Sequence, residues 1–230
     1  KRFAADYTAG DNIKLERYKG AKLKEPVAVI GSGPSGLSCA YQLARRGYRV
    51  TVFESEHRPG GMLVSGIPEY RLSKDVVERE IKRIKDAGVQ IKTNAALGKN
   101  ISIAQLKKKG FKAVYLALGA WKESTLQIEG TELLGFMGSL TFLKDYNSER
   151  IKKVNGVYCA MKGDQKIVFT GKRIAVVGGG SAAMDVARTC VRIGASEVHV
   201  IYRRTKDAMP AIPEEVIEGE KEGVRFHFLL

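Results

Sequence analysis

Cysteine is scarce in this sequence of 230 residues: Cys39, Cys159 and Cys190 are odd in number and far apart. No two of them have C-x-x-C spacing, so the chain offers no usual ligand set for zinc or an iron–sulfur cluster, and no redox dithiol. Cys39 and Cys190 fall in apolar runs after glycine turns, where a free thiol serves as a small hydrophobe in a reducing compartment. The three histidines, His57, His199 and His227, share no constellation with a nucleophile. Long apolar runs are missing too: nothing approaches the ~20 residues that a membrane helix requires. The chain opens "KRFAADY", without Met and without a secretory apolar segment. These absences are read as a cytoplasmic location and as a fragment or processed chain.

Acidic residues are the minority charge. There are 39 Lys and Arg against 25 Asp and Glu, a formal charge of +14. Yet the lysines are dispersed, with one short run at Lys107–Lys109, and aromatics do not interleave with them. Nucleic-acid signatures are therefore absent. A solvated basic surface fits, or one that steers an acidic partner or an anionic cofactor.

What is present is a repeated grammar of strand, glycine turn, helix and strand. It starts at "PVAVI", Pro26–Ile30, runs through the glycines into "LSCAYQLARRG" and ends in "YRVTVFE". "SKDVVEREIKRIKDAG" predicts a helix with Ser73 as its cap, Val77, Ile81 and Ile84 on one face, and Gly88 as its stop. "VQIKTN" predicts a short strand, and "SIAQLKKKG" a helix with Ser102 and Gln105 at capping-box spacing. "FKAVYLALGA" predicts a buried strand running into a glycine turn. The stretch 139–172 is less regular, and "GVYCAMKGDQKIVFTG" within it predicts a hairpin with "GD" near its tip. The grammar then restarts with "RIAVV", "AMDVARTCVRIG" and "EVHVIYRR", and "VRFHFLL" predicts a last strand. Alternating strands and helices of this kind imply an α/β fold with parallel sheets.

The two glycine turns carry the functional signal. Gly31, Gly33 and Gly36 follow a strand and open a helix, as a dinucleotide turn requires. The first glycine permits the tight turn, the second lets a pyrophosphate approach, and the third lets helix and strand touch. The helix N-terminus presents unpaired N–H groups to the phosphates. Glu54 ends the next strand, where a carboxylate accepts hydrogen bonds from ribose hydroxyls. The second turn has Gly178, Gly180 and, in place of a third glycine, Ala183. Its second strand ends in Arg203 and Arg204, not in an acid. Guanidinium forks match a 2′-phosphate in charge and geometry, which points to NADPH at the second turn. FAD then suits the first, because a bound flavin gives a nicotinamide hydride an acceptor. Gly60–Gly61, following the acid, would let backbone pass close to that cofactor, and Pro68 fixes the chain beyond them.

The paired turns, "GGMLVSGIPEYRL", "ALGA" and "GGGSAAMDVARTCVRIGASEVHVIYRR…MPAIPEE" resemble the small (β) subunit of glutamate synthase. They equally resemble the FAD–NADPH region of dihydropyrimidine dehydrogenase and the large subunit of NADH-dependent ferredoxin–NADP oxidoreductases. The resemblance covers nearly the whole chain from about Glu25. It implies two Rossmann-like dinucleotide-binding domains, the NADPH domain inserted in the FAD domain. It implies FAD contacts at Gly31, Gly33, Pro34, Ser35, Glu54, Gly61, Met62, Arg71 and Leu97. It implies NADPH contacts at Gly180, Ser181, Ala182, Ala183, Arg203 and Arg204. Three departures stand out: the family's cluster cysteines are absent, the sequence ends before the FAD domain resumes, and the segment around Val154–Gly171 is longer than usual.

The expected organisation is a connector from an iron–sulfur module over 1–24, with a short helix, the first part of an FAD domain over 25–148, and an NADPH domain with an inserted hairpin over 149–230. The expected function is an FAD-dependent NADPH oxidoreductase subunit. It passes electrons to iron–sulfur centres in segments missing from this sequence, in a partner protein or in a larger catalytic subunit, with no acid–base residue needed at the hydride step. Two other readings stay open: a disulfide reductase or monooxygenase with the same two-nucleotide layout, and a nucleotide-binding remnant without turnover.

Overall fold

The computed structural model describes Tyr7, Tyr18, Lys22–Ser124, Leu126 and Ile128–Leu230. The expected connector over 1–24 and its short helix lie outside the described residues, apart from Tyr7, Tyr18 and 22–24. The chain divides into two compact units, Lys1–Val64 with Leu72–Ala120 and Ser65–Arg71 with Trp121–Leu230.

In the first unit β1 (Pro26–Ile30), β2 (Arg49–Phe53), β3 (Gln90–Lys92) and β4 (Ala113–Leu116) form one parallel sheet in the order β3-β2-β1-β4. Its helices are α1 (Pro34–Arg45), α2 (Met62–Ser65), α3 (Lys74–Asp86) and α4 (Ile103–Lys108). Alternation along β1 sorts the core between the two faces of the sheet, as a parallel sheet covered on both sides demands. Val29 packs with Ala40 and Ala44 of α1 and with Val50, Val52 and Val89. Ala28 and Ile30 pack with Phe53 and Leu106. Local chemistry fixes the helix ends. Gly47, Gly88 and Gly110 take positive φ just past α1, α3 and α4, a conformation that costs glycine little. The capping box of α4 is present: Gln105 N–H donates to Ser102 Oγ at 3.2 Å, and Ser102 N–H to Gln105 Oε1 at 2.8 Å. Ser73 occupies the N-cap of α3, but its side chain makes no cap bond.

One expectation is corrected here. Among the described residues β4 is an edge strand, not a buried one: Tyr115 and Leu116 are 42% and 51% exposed. Apolarity marked the stretch as a strand but could not distinguish a central position from an edge.

In the second unit β8 (Arg173–Val177), β9 (Glu197–Tyr202) and β10 (Arg225–Phe228) form a parallel sheet in the order β10-β9-β8. The helices α5 (Ser139–Asn147), α6 (Ser181–Arg192) and α7 (Pro213–Lys221) belong to the same unit. The expected hairpin is β6 (Val157–Lys162) and β7 (Gln165–Val168), antiparallel. A further strand, β5 (Lys152–Val154), pairs with β6 across Asn155–Gly156. Both turn residues there have positive φ, as a tight two-residue hairpin requires. Phe142 and Leu143 of α5, Ile167 of β7 and Met184 and Ala187 of α6 share one core with Val198 and Val200. That shared core is why 121–148 falls in the second unit and not with the first.

All three cysteines are free thiols. Cys159 and Cys190 are buried, and burial pushes the Cys190 thiol up to about 12.

Candidate functional site

The first glycine turn has the three distinct surroundings that its proposed roles require. Gly31 sits at φ +102°, and a side chain on it would strike the carbonyl of Ala117. A Cβ on Gly36 would fall on the carbonyl oxygen of Gly31, so helix and turn meet with no room to spare. A Cβ on Gly33 would meet nothing within 4 Å. The second glycine therefore faces open space while the first and third are enclosed. Gly33 also caps α1 without any side-chain bond, and Pro34 occupies the first turn, where its missing N–H costs nothing.

A second loop lies against this turn. Gly61 has φ +55°, and a Cβ there would stand 2.8 Å from Gly33 Cα. Only a glycine lets the Gly60–Gly61 loop approach so closely. Met62 begins α2 directly after it. Ser35 Oγ lies 2.9 Å from the Tyr115 hydroxyl on β4. Leu97 pairs with Ile101 and packs against the core of Ala28, Ile30, Phe53 and Leu106.

Glu54 directly follows β2, beside the turn, and is 4% exposed. Its Oε2 accepts from Ser32 N–H at 2.9 Å and from the Ser32 hydroxyl. Its Oε1 accepts from Ser55 Oγ and from Glu56 N–H, both at 3.0 Å. Burial pushes its pKa up, but these donors outweigh that, Ser32 Oγ first, and hold the carboxyl below the usual range. The group is thus an ionised acceptor in an enclosed place.

The second turn repeats the plan with one change. Gly178 has φ +136°, and a Cβ on Gly180 would meet nothing within 4 Å. Ala183 takes the third position as a buried residue of α6. A Cβ on Gly179 would stand 2.6 Å from the Tyr202 ring, so this extra glycine accommodates the aromatic at the end of β9. The Tyr202 hydroxyl donates to the Ala208 carbonyl at 2.8 Å. Ser181 and Ala182 form the first turn of α6, whose N-cap Gly180 makes no side-chain bond. The register Val177↔Ile201, with Gly178 N–H donating to the Ile201 carbonyl, puts the end of β9 next to the turn. Arg203 and Arg204 follow at once, exposed and without an ion pair among the described residues.

Arg71 has well-defined partners of its own. It belongs to the second unit, where its Nη1 donates to both carboxylate oxygens of Asp185 at 2.8 Å and its other nitrogen pairs with Glu215. Asp185 and Glu215 are both buried, on α6 and α7. Burial pushes the Asp185 carboxyl up, against the pull of Arg71. Tyr70 donates to the Asp185 carbonyl at 3.3 Å, and its ring lies under Arg188 and Arg192. Both of those arginines hold Glu222. Ser32, Asp185, Glu215 and Glu222 escaped the sequence reading. The signal for Asp185 was an acid inside the apolar run "AMDVA", and for Glu215 the second acid of "MPAIPEE". Ser32 gave none, since the turn tolerates most residues between its glycines.

Two parallel sheets, each with a strand–glycine turn–helix unit open at its second glycine, define a two-nucleotide α/β protein. The chain belongs to the pyridine nucleotide-disulphide oxidoreductase family, whose pattern matches residues 25–229. It is 44% identical over 206 residues to the NADP(+)-dependent formate dehydrogenase subunit beta of Moorella thermoacetica, covering 89% of this chain and 27% of that one. It is 38% identical over 200 residues to the glutamate synthase [NADPH] small chain of Azospirillum brasilense, covering 87% of this chain and 40% of the relative. The resemblance read from the motifs is therefore borne out. The structure of Mycobacterium tuberculosis FprA in complex with NADPH superposes with a TM-score of 0.68 at 23% identity, over 86% of this chain and 47% of that one. The chain spans less than half the length of these relatives.

Proposed function

We propose that this chain supplies the NADPH-to-FAD portion of an electron-transferring oxidoreductase, as in its glutamate synthase-like relatives. The observation that carries the proposal is the contrast between two similar turns: a buried, ionised Glu54 beside the first, and the exposed Arg203 and Arg204, without an ion pair among the described residues, beside the second. FAD, once bound, supplies a two-electron acceptor for nicotinamide hydride and a one-electron donor to iron–sulfur centres.

The residues around it do the rest. Gly33 and Gly61 leave backbone within reach of a pyrophosphate, and Glu54 orients a ribose with free hydroxyls. Gly180, Ser181 and Ala182 form the opening turn for the NADPH phosphates, and the guanidinium groups of Arg203 and Arg204 take the 2′-phosphate. Pro34, Ser35, Met62, Leu97 and Ala183 shape these two pockets. Arg71 holds Asp185 and Glu215 together, and so fixes α6 against α7. No side chain is assigned a proton-transfer role. The electrons leave to an iron–sulfur protein or a larger subunit, and the domain assignment is FAD for the first unit and NADPH for the second. None of the described helices is long and apolar enough to cross a membrane.

The test is a visible absorption spectrum of the full-length protein before and after anaerobic NADPH. A yellow protein that bleaches supports the proposal. A colourless protein that takes up no added FAD removes it.

A further inference from the structure

Ser32 stands between the first two glycines of the FAD turn, at a position usually treated as a spacer. Its side chain is fully buried. Its hydroxyl oxygen accepts from Gly60 N–H at 3.0 Å, and its hydroxyl proton goes to Glu54 Oε2. Its own N–H donates to the same carboxylate oxygen at 2.9 Å. One side chain thus joins three separate segments: the turn after β1, the end of β2 and the second glycine loop.

The donor count at Glu54 shows what this does. A carboxylate offers about four lone-pair positions. Four are taken: Ser32 N–H and O–H on Oε2, Ser55 O–H and Glu56 N–H on Oε1. A ribose hydroxyl must displace one of them. The two backbone donors cannot rotate. The Ser32 hydroxyl is buried and held by Gly60 at its other end. Ser55 alone is exposed, and its hydroxyl is free to turn to water. Oε1 is therefore the oxygen left to the ribose, and Oε2 is the one kept by the protein.

We propose that Ser32 is a positioning residue for the FAD ribose: its hydroxyl clamps Glu54 through Oε2, presents Oε1 to the ribose, and ties the Gly60–Gly61 loop to the same carboxylate. The inference rests on the reading of the first turn as the FAD site. It adds a residue that touches the cofactor only through another group. A chain of hydrogen bonds ending on an ionised acceptor is stronger than its separate links, so loss of the middle hydroxyl is felt at both ends.

The experiment is a double-mutant cycle on the full-length protein, stripped of flavin and titrated with FAD by flavin fluorescence. Ser32→Ala should weaken FAD binding about tenfold or more, the worth of one charge-assisted bond. Glu54→Gln should weaken it too. In the double variant, Ser32→Ala should add less than about threefold, because the bond it removes is already lost. Ser32→Cys keeps the shape with a poorer donor, and should fold and bind with intermediate affinity. The thermal midpoint of each flavin-free protein separates loss of fold from loss of affinity. Wild-type affinity in Ser32→Ala, or costs that multiply in the double variant, would overturn the role of Ser32 alone. Unchanged affinity in Glu54→Gln as well would overturn the ribose reading, and the proposal with it.

Discussion

The two glycine turns use the same backbone device and differ in what surrounds it. In the first, the third position has no room for a Cβ, the neighbouring strand ends in a buried acid, and a second glycine loop lies across the turn. In the second, the third position is an alanine, the strand is followed by two exposed arginines without an ion pair among the described residues, and a tyrosine ring fills the space beside the extra glycine. The enclosed turn is built around one internal carboxylate whose donors come from the protein. The open turn keeps its charges outward, as the proposed binding of a 2′-phosphate requires. On the proposed reading, the shared fingerprint places a nucleotide at each turn, and the strand end decides which nucleotide it is.

Exchanging the third residues is the harshest way to break this comparison. Gly36→Ala forces a methyl onto the Gly31 carbonyl, and should cost about 3 kcal/mol or more. Ala183→Gly removes one buried methyl and adds helix entropy, at about 1–2 kcal/mol. Thermal unfolding of the two variants should rank them in that order, and equal losses would show the turns to be interchangeable.

Charge comes next. Glu54→Arg puts a cation where ribose hydroxyls require an acceptor, and flavin should be lost on dialysis of the full-length protein. Acid should act on the same group. The Glu54 pKa is depressed in the folded protein, so its contribution is complete above the ordinary value of 4.5 and is lost as pH falls from there toward the folded value. Flavin retention, followed by absorbance after gel filtration, depends on the folded carboxylate and should persist at pH 4.5, declining only at lower pH. Retention that fails already near neutrality would contradict the ionised, protein-held carboxylate.

A smaller effect is expected away from the turns. Glu222 is held down to about 2 by hydrogen bonds from Arg192, against burial, with Arg188 adding to the pull. Its stabilisation is present above 4.5 and fades between 4.5 and about 2. Glu222→Gln should destabilise the protein by about 1–2 kcal/mol at neutral pH, the partial exposure of the pair limiting the loss. The difference from wild type should shrink toward pH 2 in denaturant titrations.

The turns, the capping box and the hairpin were legible because each is a local rule: a glycine offset, a Ser–Gln spacing, an alternation around "GD". Several features were not, because they depend on residues distant in sequence. β4 carries the composition of a core strand and sits at an edge. Phe142 and Leu143 look like any apolar helix face until they join the core of β9. Arg71 lies in a stretch that reads as part of the first cofactor loop, yet its partners are Asp185 and Glu215, more than a hundred positions on. Ser32 was invisible for the opposite reason: its neighbours are quoted in the motif, but its own position is the variable one.

The central claim is that the strand end selects the nucleotide, and Arg203 and Arg204 test it most directly. The measurement is the rate of flavin reduction by NADPH and by NADH, over a range of concentrations, in the full-length wild type and the Arg203→Ala/Arg204→Ala variant. Two charge-assisted contacts of roughly 1.5–3 kcal/mol each should cost NADPH at least about a hundredfold in apparent affinity. NADH, which lacks the 2′-phosphate, should be nearly unaffected. If the two nucleotides lose rate equally, the arginines are a solvated strand end and the assignment of NADPH to the second turn is wrong.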